Sequence, residues 1–96
     1  MIDFHRHKQN FRNIFQYMYR RDQQFLEDIA RRLKEIRAAR RLSQQRVTMD
    51  TGINISRYEV AERNVTATTI GLLCKYYGIS MEEFFKGIEV HNIPWE

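Results

Sequence analysis

The strongest constraint on this chain lies between Leu42 and Ser80, where residues that start and stop helices alternate at short intervals. Ser43 precedes Gln44-Gln45, and a hydroxyl there can accept from the free N–H groups of a first helical turn. Gly52 stops that helix, because glycine takes left-handed backbone at little cost. Asn54, again a capping residue, starts a second short helix that runs to about Val60. Thr66 caps a helix from Ala67 to Tyr77, and Gly78 ends it. Ser80, with Glu83 three residues on, forms a capping box for the last helix. Upstream, Gln23 to Arg40 reads as the longest helix. Asp22 caps it, Glu27 and Asp28 favour its positive end, and Arg37, Arg40 and Arg41 favour the other. Phe25, Leu26, Ile29, Leu33 and Ile36 form its buried stripe. No Gly or Pro separates this helix from what precedes it, so one long helix from Phe11 to Arg40 stays open beside two.

A helix, a glycine turn and a second helix outline a helix-turn-helix, whose second helix enters the DNA major groove. Leu42-Ser43-Gln44-Gln45 and then Thr51-Gly52-Ile53-Asn54 resemble the first helix and turn of the Cro/cI-type repressors, the XRE family. Ile55-Ser56-Arg57-Tyr58-Glu59 resembles the end of that family's recognition helix. Thr69-Ile70 through Phe85, with Tyr77-Gly78-Ile79-Ser80 inside it, resembles the fourth and fifth helices. The resemblance covers about Phe25 to Ile88. It implies an all-α, five-helix lambda-repressor-like domain over residues 25–87. Residues 1–24 then form an N-terminal helical extension, and residues 88–96 a tail.

The resemblance also assigns roles. Ile55 and Tyr58 point into the core, while Ser56 and Arg57 point outward to the bases. A guanidinium such as that of Arg57 can bind guanine O6 and N7 together. Gln44 and Gln45 stand at a helix start that can receive a phosphate. Arg63 and Asn64 suit phosphate as well. Glu59 and Arg37 match a partly buried ion pair that ties two helices together. Three features depart from the family pattern. The segment between Asn54 and Ile55 is about three residues short, where base-reading side chains usually lie. Ala61 stands where the family has a glycine, and Glu62 where a cation is usual. Asn54 either takes over some of the missing base contacts or only caps its helix.

The chain carries 16 Lys and Arg against 12 Asp and Glu, a net charge of +4. Met1 to Arg21 holds Arg6, Lys8, Arg12, Arg20 and Arg21 against Asp3, which accounts for all of that excess. In the same stretch Phe11, Ile14, Phe15, Met18 and Tyr19 recur at the spacing of an amphipathic helix. Two readings stay open: an aromatic face packing on the domain or a twin subunit, and a basic arm touching DNA phosphates.

A single cysteine, Cys74, allows no internal disulfide and fits a reducing cytoplasm. By the resemblance it falls at the family's small-residue core position. No apolar run approaches the ~20 residues that span a membrane. His5 and His7 form a His-x-His pair, but ligation needs at least a third ligand held nearby, which only His91, Cys74 and scattered carboxylates could supply, so no metal or other cofactor is expected. An enzyme needs a nucleophile, an acid–base pair or a metal in a cleft, and no such pattern occurs. The expected function is a sequence-specific regulator, most simply a repressor, that binds a two-fold operator as a homodimer in the cytoplasm. A phage-type, mobile-element or antitoxin-like regulator fits, with a toxin or antirepressor as possible protein partner. The alternative is a protein-interaction module that keeps the fold and has lost base reading.

Overall fold

Asp22 marks where the helical core begins. Its backbone is extended (φ −113°, ψ 100°), and its side chain accepts from the Phe25 N–H. The first helix, α1, therefore starts at Gln23 and runs to Ala39, and the chain does not pass through Asp22 as one long helix. The computed structural model describes residues 22–91. The aromatic stripe from Phe11 to Tyr19, the basic residues up to Arg21, His5 and His7, and Pro94-Trp95 lie outside the described residues.

Four shorter helices follow: α2 (Gln44–Thr51), α3 (Ile55–Tyr58), α4 (Ala67–Tyr77) and α5 (Met81–Phe85). Ser43, Thr66 and Ser80 each cap the helix that follows with a side-chain oxygen. The described residues are all helix and connecting loop, as the cap pattern requires. Each helix gives one wholly buried side chain to a single core: Leu33, Val47, Ile55, Leu73 and Phe84. Burying a side chain of this size stabilises by about 1.5–3 kcal/mol. Tyr77 and Cys74 complete the α4 side of this core. Met81 is 41% exposed, because it opens α5 and Phe84 is the residue turned inward.

Two helix ends use the same hydrogen-bond pattern with different residues. At the end of α1 the Leu42 N–H reaches Arg37 O and the Arg41 N–H reaches Ala38 O. At the end of α4 the Ile79 N–H reaches Cys74 O and the Gly78 N–H reaches Lys75 O. Both patterns need a left-handed residue after the helix. Gly78 supplies it at φ 72°, but Arg41 is forced to φ 56°.

The arginines of α1 hold the other helices. Arg40 Nε donates to Tyr77 O at the end of α4, 2.6 Å away. Arg32 donates to Phe84 O and, at 2.9 Å, to Lys86 O beyond α5. Cations here meet the negative ends of two helix dipoles. Glu27 and Asp28, read from sequence as dipole partners, lie past the first turn of α1. Asp28 instead accepts from Gln24 and Arg31, and His91 Nε2 sits 3.4 Å from it. The His91 N–H also donates to the Asp22 carboxylate, so the chain beyond Gly87 folds back over the start of α1. Among the described residues, no helix is long and apolar enough to cross a membrane.

Candidate nucleic-acid interface

The loop between α2 and α3 is fixed by backbone and hydroxyl contacts. Gly52 closes α2 in the left-handed region (φ 75°), with its N–H on Thr48 O at 2.8 Å. Thr51 Oγ1 donates to Val47 O and accepts from the Ile53 N–H at 3.0 Å. The chain then turns into α3 after Asn54. Here the structure corrects the capping role read for Asn54: its side chain makes no cap hydrogen bond. Thr48 Oγ1, one helix earlier, receives the Ile55 N–H instead, at 3.4 Å. Asn54 Oδ1 accepts from Ser56 Oγ at 2.8 Å. With the capping done by Thr48, the exposed Asn54 amide lies beside Ser56.

α3 spans only four residues, about 6 Å of helix. Ile55 is fully buried and Tyr58 half-buried against the core. Ser56 and Arg57 are exposed. Arg57 has no ion-pair partner among the described residues. The outward face of the short helix is therefore Asn54, Ser56 and Arg57.

Behind this face the helix is anchored through Glu59, whose side chain is wholly buried. Arg37 grips it with two bonds, Nε to Oε2 at 2.8 Å and Nη2 to Oε1 at 3.0 Å. Gln44 Nε2 adds a third at 2.9 Å. Arg37 Nη1 also donates to Leu42 O at 2.7 Å. The Glu59 carboxylate raises the pKa of Arg37 above its ordinary value, chiefly through their hydrogen bonds. Such bidentate pairs combine energy with fixed geometry. The Gln44 amide is thus committed to the anchor, while Gln45 beside it is exposed at the start of α2.

The loop after α3 carries the remaining candidates. Ala61 is left-handed (φ 59°) and buried, with its methyl group against Leu26 and Ala30. Left-handed backbone strains a residue with a Cβ by roughly 1–2 kcal/mol, and burial of the methyl offsets part of that. Arg63 and Asn64 are exposed on this loop, next to Glu62.

A second polar cluster escaped the sequence reading. Arg46 Nε donates to Asp50 at 3.0 Å, and the Tyr76 hydroxyl donates to the same carboxylate oxygen at 2.6 Å. These bonds, with Tyr76 the stronger influence, hold the Asp50 carboxyl below its usual pKa. They lock α2 to α4 and occupy Arg46. The i, i+4 spacing of Arg46 and Asp50 was visible in the sequence; the reach to Tyr76 was not. Among the described residues no group of three or more His, Cys, Asp or Glu is placed to hold a metal. Cys74 is buried, and burial pushes its thiol pKa up, away from reactive thiolate.

One family model, described as helix-turn-helix, matches residues 33–84, which is more than half of the chain. The match runs from Leu33 in α1 to Phe84 in α5 and so takes in one core residue of every helix. No curated protein and no protein of solved structure matches the chain.

Proposed function

We propose a mode of DNA reading from one premise: the chain belongs to the Cro/cI-type (XRE) helix-turn-helix family of DNA-binding transcription regulators. On this reading it acts as a repressor, binding a two-fold operator as a homodimer. Arg57 reads a guanine through O6 and N7, and Asn54 with Ser56 reads the neighbouring position. Gln45, Arg63 and Asn64 hold phosphates, and Gln44 contributes its backbone N–H at the start of α2. A helix of about 6 Å spans about two base-pair steps, so each half-site is read narrowly.

The observation that carries this reading is the division of α3. Its inner side is fixed by Ile55, Tyr58 and the Glu59 anchor, and its outer side presents Asn54, Ser56 and Arg57 to solvent. A reading head needs that combination, since base contacts require side chains held on a rigid support. The test is fluorescence anisotropy of the protein against DNA fragments from around its own coding region, at two salt concentrations. The reading expects tight, salt-sensitive binding to one fragment, because displaced counterions weaken binding as salt rises. Equal weak binding to every fragment would defeat it.

One observation favours a second reading, a protein-interaction module for a toxin or antirepressor. Val60, two residues past the end of α3, is 57% exposed, and acidic Glu62 follows close behind. A mainly apolar interface there would be insensitive to salt, which separates it from DNA binding in the same experiment.

A further inference from the structure

Asn54, Ser56 and Arg57 share the outer side of α3, but they are not placed alike. Ile55, Tyr58 and Glu59 face inward. At about 3.6 residues per turn, Arg57 then points nearly opposite to them, and Ser56 lies on the flank. Ser56 is also short. Its hydroxyl sits directly on Cβ, whereas the Asn54 amide reaches a carbon further out. That hydroxyl is engaged, since Ser56 Oγ donates to Asn54 Oδ1 at 2.8 Å. Asn54 can accept there because its side chain makes no cap bond, and Thr48 Oγ1 receives the Ile55 N–H in its place. Both residues are exposed, so the bond ties two surface side chains together and holds no part of the core.

We propose, on the premise of the base reading above, that Ser56 is a positioning residue for Asn54 and that the pair selects an adenine beside the guanine read by Arg57. An amide oxygen accepts two hydrogen bonds and an amide nitrogen donates two. Ser56 takes one acceptor place on Oδ1. The second remains, and Nδ2 lies at the other end of the amide. In the major groove adenine presents an acceptor, N7, beside a donor, the N6 amino group. Guanine presents two acceptors, cytosine a donor and thymine an acceptor. The amide therefore meets adenine at two points and any other base at one.

A two-point contact needs the amide plane aligned, while a one-point contact tolerates rotation. The Ser56 bond sets that plane before DNA arrives, so its benefit falls on adenine. What it removes is the cost of immobilising the Asn54 side chain on binding. Spacing places the adenine. Residues one turn apart, as Asn54 and Arg57 are, stand about 5–6 Å apart at Cβ. Successive base pairs stand about 3.4 Å apart. The longer Arg57 side chain spans the difference, so the two bases are adjacent.

The test is selection by the full chain from a duplex library with a randomised centre, at one salt concentration, followed by sequencing of the bound pool. The natural chain should enrich guanine next to adenine. Arg57→Ala should erase the guanine preference, and Asn54→Ala the adenine preference. Ser56→Ala should lower the enrichment of adenine over other bases at its position by about fivefold and leave the guanine position unchanged. Ser56→Thr keeps a hydroxyl and should restore the preference. A serine that only shapes α3 would act differently. Ser56→Ala would then weaken binding to every sequence alike and lower the urea midpoint. That result, an unchanged adenine preference, or a loss that threonine does not restore overturns the proposal while base reading by Arg57 stands. A natural chain that enriches no base overturns the base reading and the proposal together.

Discussion

The two sides of α3 differ in how many contacts fix them. On the inner side one carboxylate, Glu59, gathers three hydrogen bonds from α1 and α2, and Ile55 is sealed in the core. On the outer side, among the described residues, the Ser56 hydroxyl donates to the Asn54 side chain and Arg57 extends without an ion pair. The helix has four residues, too few to be stable by its own backbone bonds. Its geometry is therefore supplied from behind. The comparison teaches that a helix face turned to solvent can be pared to a single turn while the support beneath it stays overdetermined.

The largest effect should come from breaking the support. Glu59→Ala leaves the part-buried Arg37 without its partner and should destabilise by about 3 kcal/mol in urea unfolding, the lower end of the range for a wholly buried pair. Gln44→Ala removes one hydrogen bond to the same carboxylate and should cost about 1.5 kcal/mol. A loss below about 0.5 kcal/mol for Glu59→Ala would mean that the anchor does not hold α3.

A sharper contrast lies at the start of α3. Thr48→Ala deletes the hydroxyl that receives the Ile55 N–H and should cost about 1 kcal/mol. Asn54→Ala, at the nominal cap, should change stability by less than about 0.5 kcal/mol, as exposed substitutions usually do. The reverse order would restore the capping role to Asn54.

The inner side has one flaw. Tyr77 is buried, yet its hydroxyl meets no hydrogen-bond partner among the described residues. Burial pushes its pKa up to about 12, from an ordinary value of 10.0. The folded state therefore keeps a proton that the unfolded chain releases. This contribution to stability is fully present below pH 10 and is lost as pH rises toward 12. Tyr77→Phe should stabilise by about 1 kcal/mol at neutral pH and flatten that part of the alkaline loss. Chemical unfolding at pH 8 and pH 11 reads both.

The smallest paired effect concerns the two helix ends. Arg41→Gly should stabilise by about 1 kcal/mol, and Gly78→Ala should destabilise by about as much. A methyl group at Gly78 would meet nothing within 4 Å, so only the backbone angle matters there. Equal signs for the two substitutions would contradict the shared geometry.

Local signals made much of this fold legible. Ser43, Thr66 and Ser80 act on N–H groups three residues away, and Gly52 and Gly78 stop their helices by their own backbone freedom. Rules of that range can be read along a sequence. Thr48 lies seven residues from the N–H it receives, across a turn, so the nearer Asn54 claimed the role. Arg32 and Arg40 reach helix ends 37 to 54 residues away, which only the folded arrangement reveals. The strain at Arg41 was hidden because nothing in an arginine announces left-handed backbone. At the candidate interface, the sequence grouped Asn54, Ser56 and Arg57, but not the hydroxyl that releases Asn54 from capping.

The division between support and proposed reading face is tested most directly by a ratio. Affinity for the best-bound DNA fragment is divided by affinity for a scrambled one, for the natural chain and for Arg57→Ala at one salt concentration. Losing a bidentate guanine contact should lower that ratio by about tenfold, with the urea midpoint unchanged. An unchanged ratio, or a drop that only follows lost stability, would contradict the account.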